Sequence, residues 1–221
     1  MNEIKPIETW YKGIKFRSRL EARWAVFFDA CGIKYEYEPG GFERKWGEDE
    51  VYKYLPDFYL PEYDIYVEVK PTDERLFKDA DKLGMMVDFG GPMSNGLLIL
   101  GNIPDPTKMT FANIPIFSLL YNKKAVRLEH AAFIPHSYRG VVFARGDRLL
   151  QAIYCDFGLE GFYDCLDGGG IPEKTTTQCR WSKENVRSVV HPATKEFQLL
   201  KTAYIKARSA RFEHGENGAI V

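Results

Sequence analysis

The stretch that most constrains this chain is Tyr54-Leu55-Pro56-Asp57-Phe58-Tyr59-Leu60-Pro61-Glu62-Tyr63-Asp64-Ile65-Tyr66-Val67-Glu68-Val69-Lys70. Its second half alternates Asp64, Tyr66, Glu68 and Lys70 with Ile65, Val67 and Val69, the period-2 signature of a strand with one apolar face. Pro61-Glu62-Tyr63 predicts a tight turn back to a preceding short strand. A four-residue turn pairs Leu60 with Ile65, and the same register sets Asp57 opposite Glu68, with Cβ atoms about 5 Å apart. Glu68 and Lys70 project from one face. Two carboxylates and an ammonium then converge on one patch, a hard-oxygen donor set suited to Mg2+ or Mn2+. The bland reading of the same alternation is a solvated strand face, and Glu-x-Lys alone does not separate the two.

Upstream, Thr9 to Phe16 reads as a small hairpin turning at Lys12-Gly13. Leu20, Trp24, Phe27 and Cys31 then recur at helical spacing, with Ala25 and Phe28 widening the stripe. Ser18 is the expected N-cap and Gly32 the expected C′ residue of this helix. Glu21 has two readings. Ser18-x-x-Glu21 matches a capping box, or Glu21 points at the metal patch as a further acid. Ile33 to Glu38 is expected to be a strand closing at Pro39-Gly40-Gly41, and residues 42–51 to be charged and turn-like. After Pro71, Thr72 or Asp73 can cap a helix whose apolar face is Leu76, Ala80, Leu83 and Val87. Leu97 to Leu100, between Gly96 and Gly101, is a continuous apolar run expected to be a buried central strand. The element order is α-β-β-β-α-β. Beyond Pro106 strand-like pieces occur at Phe111–Asn122, Gly140–Ala144 and Leu149–Tyr154. A loop-rich segment spans Cys155–Lys183, and a final helix runs from Pro192 to about Phe212. Phe197, Leu200, Tyr204, Ala207 and Arg211 form its stripe.

With 221 residues, apolar content near one half and 32 aromatic residues, the chain suits a packed globule rather than a disordered one. No run of about 18 apolar residues occurs, so no membrane span is expected. No charged region followed by an apolar stretch marks a signal peptide at the start. Four cysteines are sparse for this length and point to a reducing, cytoplasmic compartment. Residues 1–120 carry 15 Lys/Arg against 20 Asp/Glu, and residues 121–221 carry 15 against 11. An acidic half that gathers metal and a more basic half that meets phosphate fit that imbalance.

Glu21 on a first helix, Pro56-Asp57, and Glu68-Val69-Lys70 on this element order resemble the PD-(D/E)xK nuclease superfamily. The flanks Arg17-Ser18-Arg19-Leu20-Glu21-Ala22 and Tyr54-Leu55-Pro56-Asp57-Phe58, and the tail Ala207 to Glu216, resemble its phage and prophage branch. They are also similar to junction-resolving endonucleases and the endonuclease subunit of some transposases. The catalytic motifs cover roughly residues 15–101. The resemblance implies a restriction-endonuclease-like α/β core with a mixed central sheet flanked by helices over residues 1–120. Residues 121–221 would then be a C-terminal extension ending in a long helix and packed on that core. It implies a DNA endonuclease of a bacterial cell or phage-infected host, acting on DNA as partner and possible as a homodimer, since two strands must be cut. Asp57, Glu68 and the Val69 carbonyl would bind Mg2+, with Mn2+ as a substitute, and Glu21 would complete the acidic patch. Lys70 would orient or deprotonate the attacking water, or neutralise developing charge.

Arg17, Arg19 and Arg23 around Glu21 could hold DNA phosphates or simply solvate the helix. Lys201 and Arg208, with Lys195, Lys206 and Arg211, could track phosphates or solubilise the last helix. Cys155, Cys165, Cys179 and His191 lack zinc-site spacing and read as isolated side chains. His130 and His136 form no catalytic pair, and Trp10, Trp24, Trp46 and Trp181 read as core or loop anchors. The rival class is a non-catalytic DNA- or protein-binding regulatory protein on a nuclease scaffold. RNA cleavage is a third reading.

Overall fold

A computed structural model describes residues 7–46, 50–71, 80–88, 90–109, 114–122, 126–136, 139–145 and 195–212. The fold is α/β, organised by a mixed seven-stranded sheet. Its strands are β3 (Glu36–Tyr37), β6 (Phe58–Leu60), β7 (Ile65–Val69), β8 (Leu97–Leu100), β9 (Phe117–Asn122), β10 (Val126–His136) and β11 (Gly140–Arg145). They lie in the order β11-β10-β9-β8-β7-β6-β3. Only β7 and β8 pair in parallel; the other neighbours are antiparallel. A parallel pair needs a crossover, and helix α2 (Ala80–Val87) lies in that connection. The sheet runs unbroken through residue 120, which sits inside β9.

Helix α1 (Arg19–Cys31) begins and ends as its sequence predicts. Ser18 caps it, accepting the Glu21 N–H, and Gly32 closes it at φ 72°. That left-handed geometry is one glycine adopts without a Cβ penalty. The hairpin of β1 (Thr9–Tyr11) and β2 (Ile14–Phe16) also forms, with Lys12 and Gly13 both at positive φ, as a two-residue hairpin turn requires.

The apolar residues of β7 and β8 face two ways. Val67, Val69, Leu98 and Leu100 join the main core under α1 and the last helix, α3 (Lys195–Ser209). Leu97 and Ile99 pack on the opposite face with Leu83, Met86 and Val87 of α2. The continuous apolar run of β8 is thus covered on both sides. Trp24 sits at the centre of the main core, ringed by Phe27, Phe28, Phe117, Phe133 and Tyr204, with its Nε1 donating to the Gly101 carbonyl at 2.9 Å.

Several expectations are corrected. Residues 42–51 are not turn-like: Phe42–Trp46 (β4) and Glu50–Tyr54 (β5) form a separate two-stranded arm. Charged residues line much of this arm because Glu43, Lys45 and Lys53 face solvent while Tyr54 is buried. Among the described residues five strands therefore separate α1 from α2, and three of them join the large sheet. The strand at Ile33–Glu38 narrows to β3, because Glu38 turns the chain at φ 46°. β10, unforeseen in sequence, is an eleven-residue strand. α3 ends at Ser209, so Arg211 lies beyond its stripe, exposed. Trp10 is no anchor: it is half exposed. Leu76, Phe111, Leu149–Tyr154, the segment Cys155–Lys183 with its three cysteines, Trp181, His191 and the tail after Phe212 lie outside the described residues. Among the described residues no helix is long and apolar enough to cross a membrane.

Candidate active site

The hairpin β6–β7 adopts the register its sequence predicts: Leu60 pairs with Ile65, Tyr59 with Tyr66 and Phe58 with Val67. One step further along, the chain bends at Asp57, whose N–H donates to the Val67 carbonyl at 3.1 Å. Its side chain turns inward, and Oδ2 accepts the Val69 N–H at 2.7 Å. Pro56 cannot donate to a ladder and so marks the break between arm and sheet.

Asp57, Glu68 and Glu21 are buried, at 4, 6 and 7 % exposure. The solvated-face reading of Glu68 therefore fails: the polar face of β7 is roofed by the β4–β5 arm and α2. All three acids line one cavity of about 660 Å3, together with Arg17, Tyr54, Val69 and Lys70. That volume is within the range of about 300–1,000 Å3 common for ligand sites.

Each acid is held by specific partners. Lys70 Nζ lies 2.9 Å from Glu68 Oε1, and the Tyr54 hydroxyl donates to Glu68 Oε2. The Lys70 N–H extends the parallel ladder to the Leu100 carbonyl at 2.8 Å, fixing its backbone at the sheet's end. Arg17 bridges two acids, with Nη2 2.7 Å from Asp57 Oδ1 and Nε 2.6 Å from Glu38 Oε1. Glu21 sits at the helix start, where it accepts from the Ser18 hydroxyl at 2.6 Å and the Arg17 N–H at 3.2 Å in place of the Ser18 N–H of a capping box. It also lines the cavity. The Tyr37 hydroxyl adds a third bond to Glu21 at 2.7 Å.

Burial, then the charges of Glu68 and Glu21, push the Asp57 carboxyl well above its ordinary range, against the Val69 N–H and Arg17. Burial opposes the Arg17 charge, but Asp57 and its other partners outweigh that and raise its pKa further. Burial and the bond to Glu21 raise Tyr37, which stays a neutral donor. Among the described residues no group of three or more His, Cys, Asp or Glu side chains stands ready to chelate one ion. Arg17 and Lys70 are the counter-charges of Asp57 and Glu68.

The other basic residues are not gathered here. Arg19 and Arg23 are partly exposed on α1 and do not line the cavity. Lys201 and Arg208 are carried by α3, which packs on α1 and over β10 and β11, away from it. Arg208 Nη1 instead donates to the Ile103 carbonyl at 3.4 Å. Tyr54 and Tyr37 are site residues that sequence reading passed over. The signal for Tyr54 was its place three residues before Asp57, and for Tyr37 its alternation with Tyr35. Comparison of the chain with protein-family models, curated proteins and solved structures finds no match.

Proposed function

We propose that this chain is a Mg2+-dependent endonuclease that hydrolyses DNA phosphodiester bonds, on a restriction-endonuclease-like core. The reading rests on one observation: three buried carboxylates share a cavity with Lys70 and Arg17. Arg17 and Lys70 offset part of that crowded negative charge, and a divalent ion would offset the rest. The donor chemistry fits a hard divalent ion: Asp57 and Glu68 offer carboxylate oxygens and Val69 a main-chain carbonyl, with Glu21 reaching the ion through a water. Mg2+ there, or Mn2+ in its place, supplies Lewis acidity and lowers the pKa of a bound water.

The chain's own residues carry the rest. Asp57 and Glu68 would hold the ion, and Glu21, fixed by Ser18 and Tyr37, completes the acidic wall. Lys70, tethered 2.9 Å from Glu68, is a fixed positive charge placed to stabilise charge developing on the phosphate. Arg17, half exposed beside Asp57, can receive a substrate phosphate. Arg19, Arg23, Lys201 and Arg208 would meet phosphates only outside the cavity. Cutting both strands calls for two copies of the chain acting together.

Incubating supercoiled plasmid and a four-way branched duplex with and without Mg2+ tests the reading. Cleavage should require the ion and vanish in Asp57→Ala and Glu68→Ala. Full activity in either variant would sink the assignment. A second reading, favoured by the Arg17–Asp57 ion pair that already neutralises the site, is a non-catalytic DNA- or protein-binding protein on this scaffold. It predicts DNA binding indifferent to a chelator and no cleavage.

A further inference from the structure

Glu68 is gripped from both sides by different parts of the fold. Lys70, on its own strand, takes Oε1 at 2.9 Å, and the hydroxyl of Tyr54, on the arm, donates to Oε2. A carboxylate oxygen keeps a second acceptor direction after one bond. Both donors can therefore stay in place while Glu68 ligates an ion. Two donors fix the carboxylate plane; Lys70 alone would leave it free to turn.

The arm that carries Tyr54 is not a free hairpin. Arg44 of β4 donates to the Met85 and Asp88 carbonyls at the end of α2, and its Nη2 lies 3.7 Å from Asp88 Oδ2. Phe42 pairs with Tyr54 across the arm, and Lys82 of α2 places its Nζ 5.4 Å from the Tyr54 ring centroid. Tyr54 itself is buried among Leu83, Met86 and Val87. The hydroxyl is thus delivered to Glu68 by elements outside the seven-stranded sheet.

We infer that Tyr54 is a positioning residue: its hydroxyl orients the Glu68 carboxylate for a divalent cation, so the β4–β5 arm and α2 complete the metal site. The inference rests on the metal-binding part of the function proposed above. Partners that orient a metal ligand are worth about 10–100-fold in affinity when removed.

Calorimetric titration of Mn2+ into the full chain tests it. Wild type is compared with Tyr54→Phe, which keeps the ring and its packing, and with Tyr52→Phe, which removes a hydroxyl from the same strand beside Glu50. Tyr54→Phe should bind Mn2+ about 10–100-fold more weakly while still unfolding in one cooperative transition, and Tyr52→Phe should bind as wild type. Equal binding by wild type and Tyr54→Phe would overturn the positioning role and leave the metal site standing. Equal weakening in both tyrosine variants would also overturn it, because a general loosening of the arm would then account for the loss. No Mn2+ binding by wild type would overturn both readings.

Discussion

Arg17 Nη2 stands 2.7 Å from Oδ1 of the buried Asp57, so the most enclosed acid of the site is paired with a side chain that is itself half exposed. The guanidinium places a positive charge that would repel a divalent ion bound to the same carboxylate. Because one partner is solvated, the pair is worth only about 1 kcal/mol. Arg17→Ala should therefore tighten Mn2+ binding, by roughly fivefold, and weaken binding of DNA. Titration of Mn2+ into the variant at pH 8 checks this, and weaker Mn2+ binding would show that Arg17 supports the site instead of competing for it.

The raised Asp57 carboxyl makes stability depend on pH in a definite direction. A carboxyl whose folded pKa lies above its unfolded value binds a proton in the native state that the unfolded chain has lost. Its contribution is fully present below the unfolded value near 4 and declines as pH rises through the folded pKa. Asp57→Asn should flatten that decline and melt higher than wild type at pH 8. Mg2+ should raise the wild-type melting temperature at pH 8 and move Asp57→Asn less, because binding to the native state alone stabilises it. Thermal scans from pH 4.5 to 8 on both proteins decide it.

Lys70 is anchored by its backbone to Leu100 and by its side chain to Glu68. Lys70→Met should preserve the fold and lower the cleavage rate by about 10²–10⁴-fold, the usual worth of a positioned group acting on the reacting atoms. Mn2+ affinity should change by less than about tenfold, since the substitution removes one of the two donors that orient Glu68 but also a cation that repels the ion. Single-turnover cleavage beside Mn2+ titration separates the two effects. A variant that cuts normally would remove Lys70 from the mechanism.

Gly91 sits where the arm meets α2. A Cβ there would lie 2.7 Å from the Asp88 carbonyl and 2.6 Å from Arg44 Nη1, and would also strike the Met86 carbonyl. Two of those are backbone atoms that cannot yield without moving the turn. Gly91→Ala should cost about 1–3 kcal/mol and disturb the anchoring of the arm. Urea unfolding measures the cost, and an unchanged midpoint would show that this turn tolerates the shift.

Local chemistry was legible in the chain itself. Ser18 and Gly32 bound α1, Lys12-Gly13 turn the first hairpin, and the Leu60–Ile65 register follows from a four-residue turn, because caps, turns and period-2 alternation act between near neighbours. The arm was not legible, since Glu43, Lys45 and Lys53 look like a loop until α2 and Arg44 give the strands something to pack against. β10 was missed for a similar reason: its pairing with β9 and β11 supplies the ladder that its sequence does not announce.

The residues of the site stand in the same position. Sequence alone determined that Asp57, Glu68 and Lys70 share one end of a hairpin, because strand geometry fixes which side chains project together. Only the tertiary structure decided that these acids are buried, that Arg17 and Tyr54 hold them, and that Arg19, Arg23, Lys201 and Arg208 lie elsewhere. Burial and counter-charge come from α1, α2 and the arm closing over one strand end, contacts between residues far apart in the chain that no local spacing encodes.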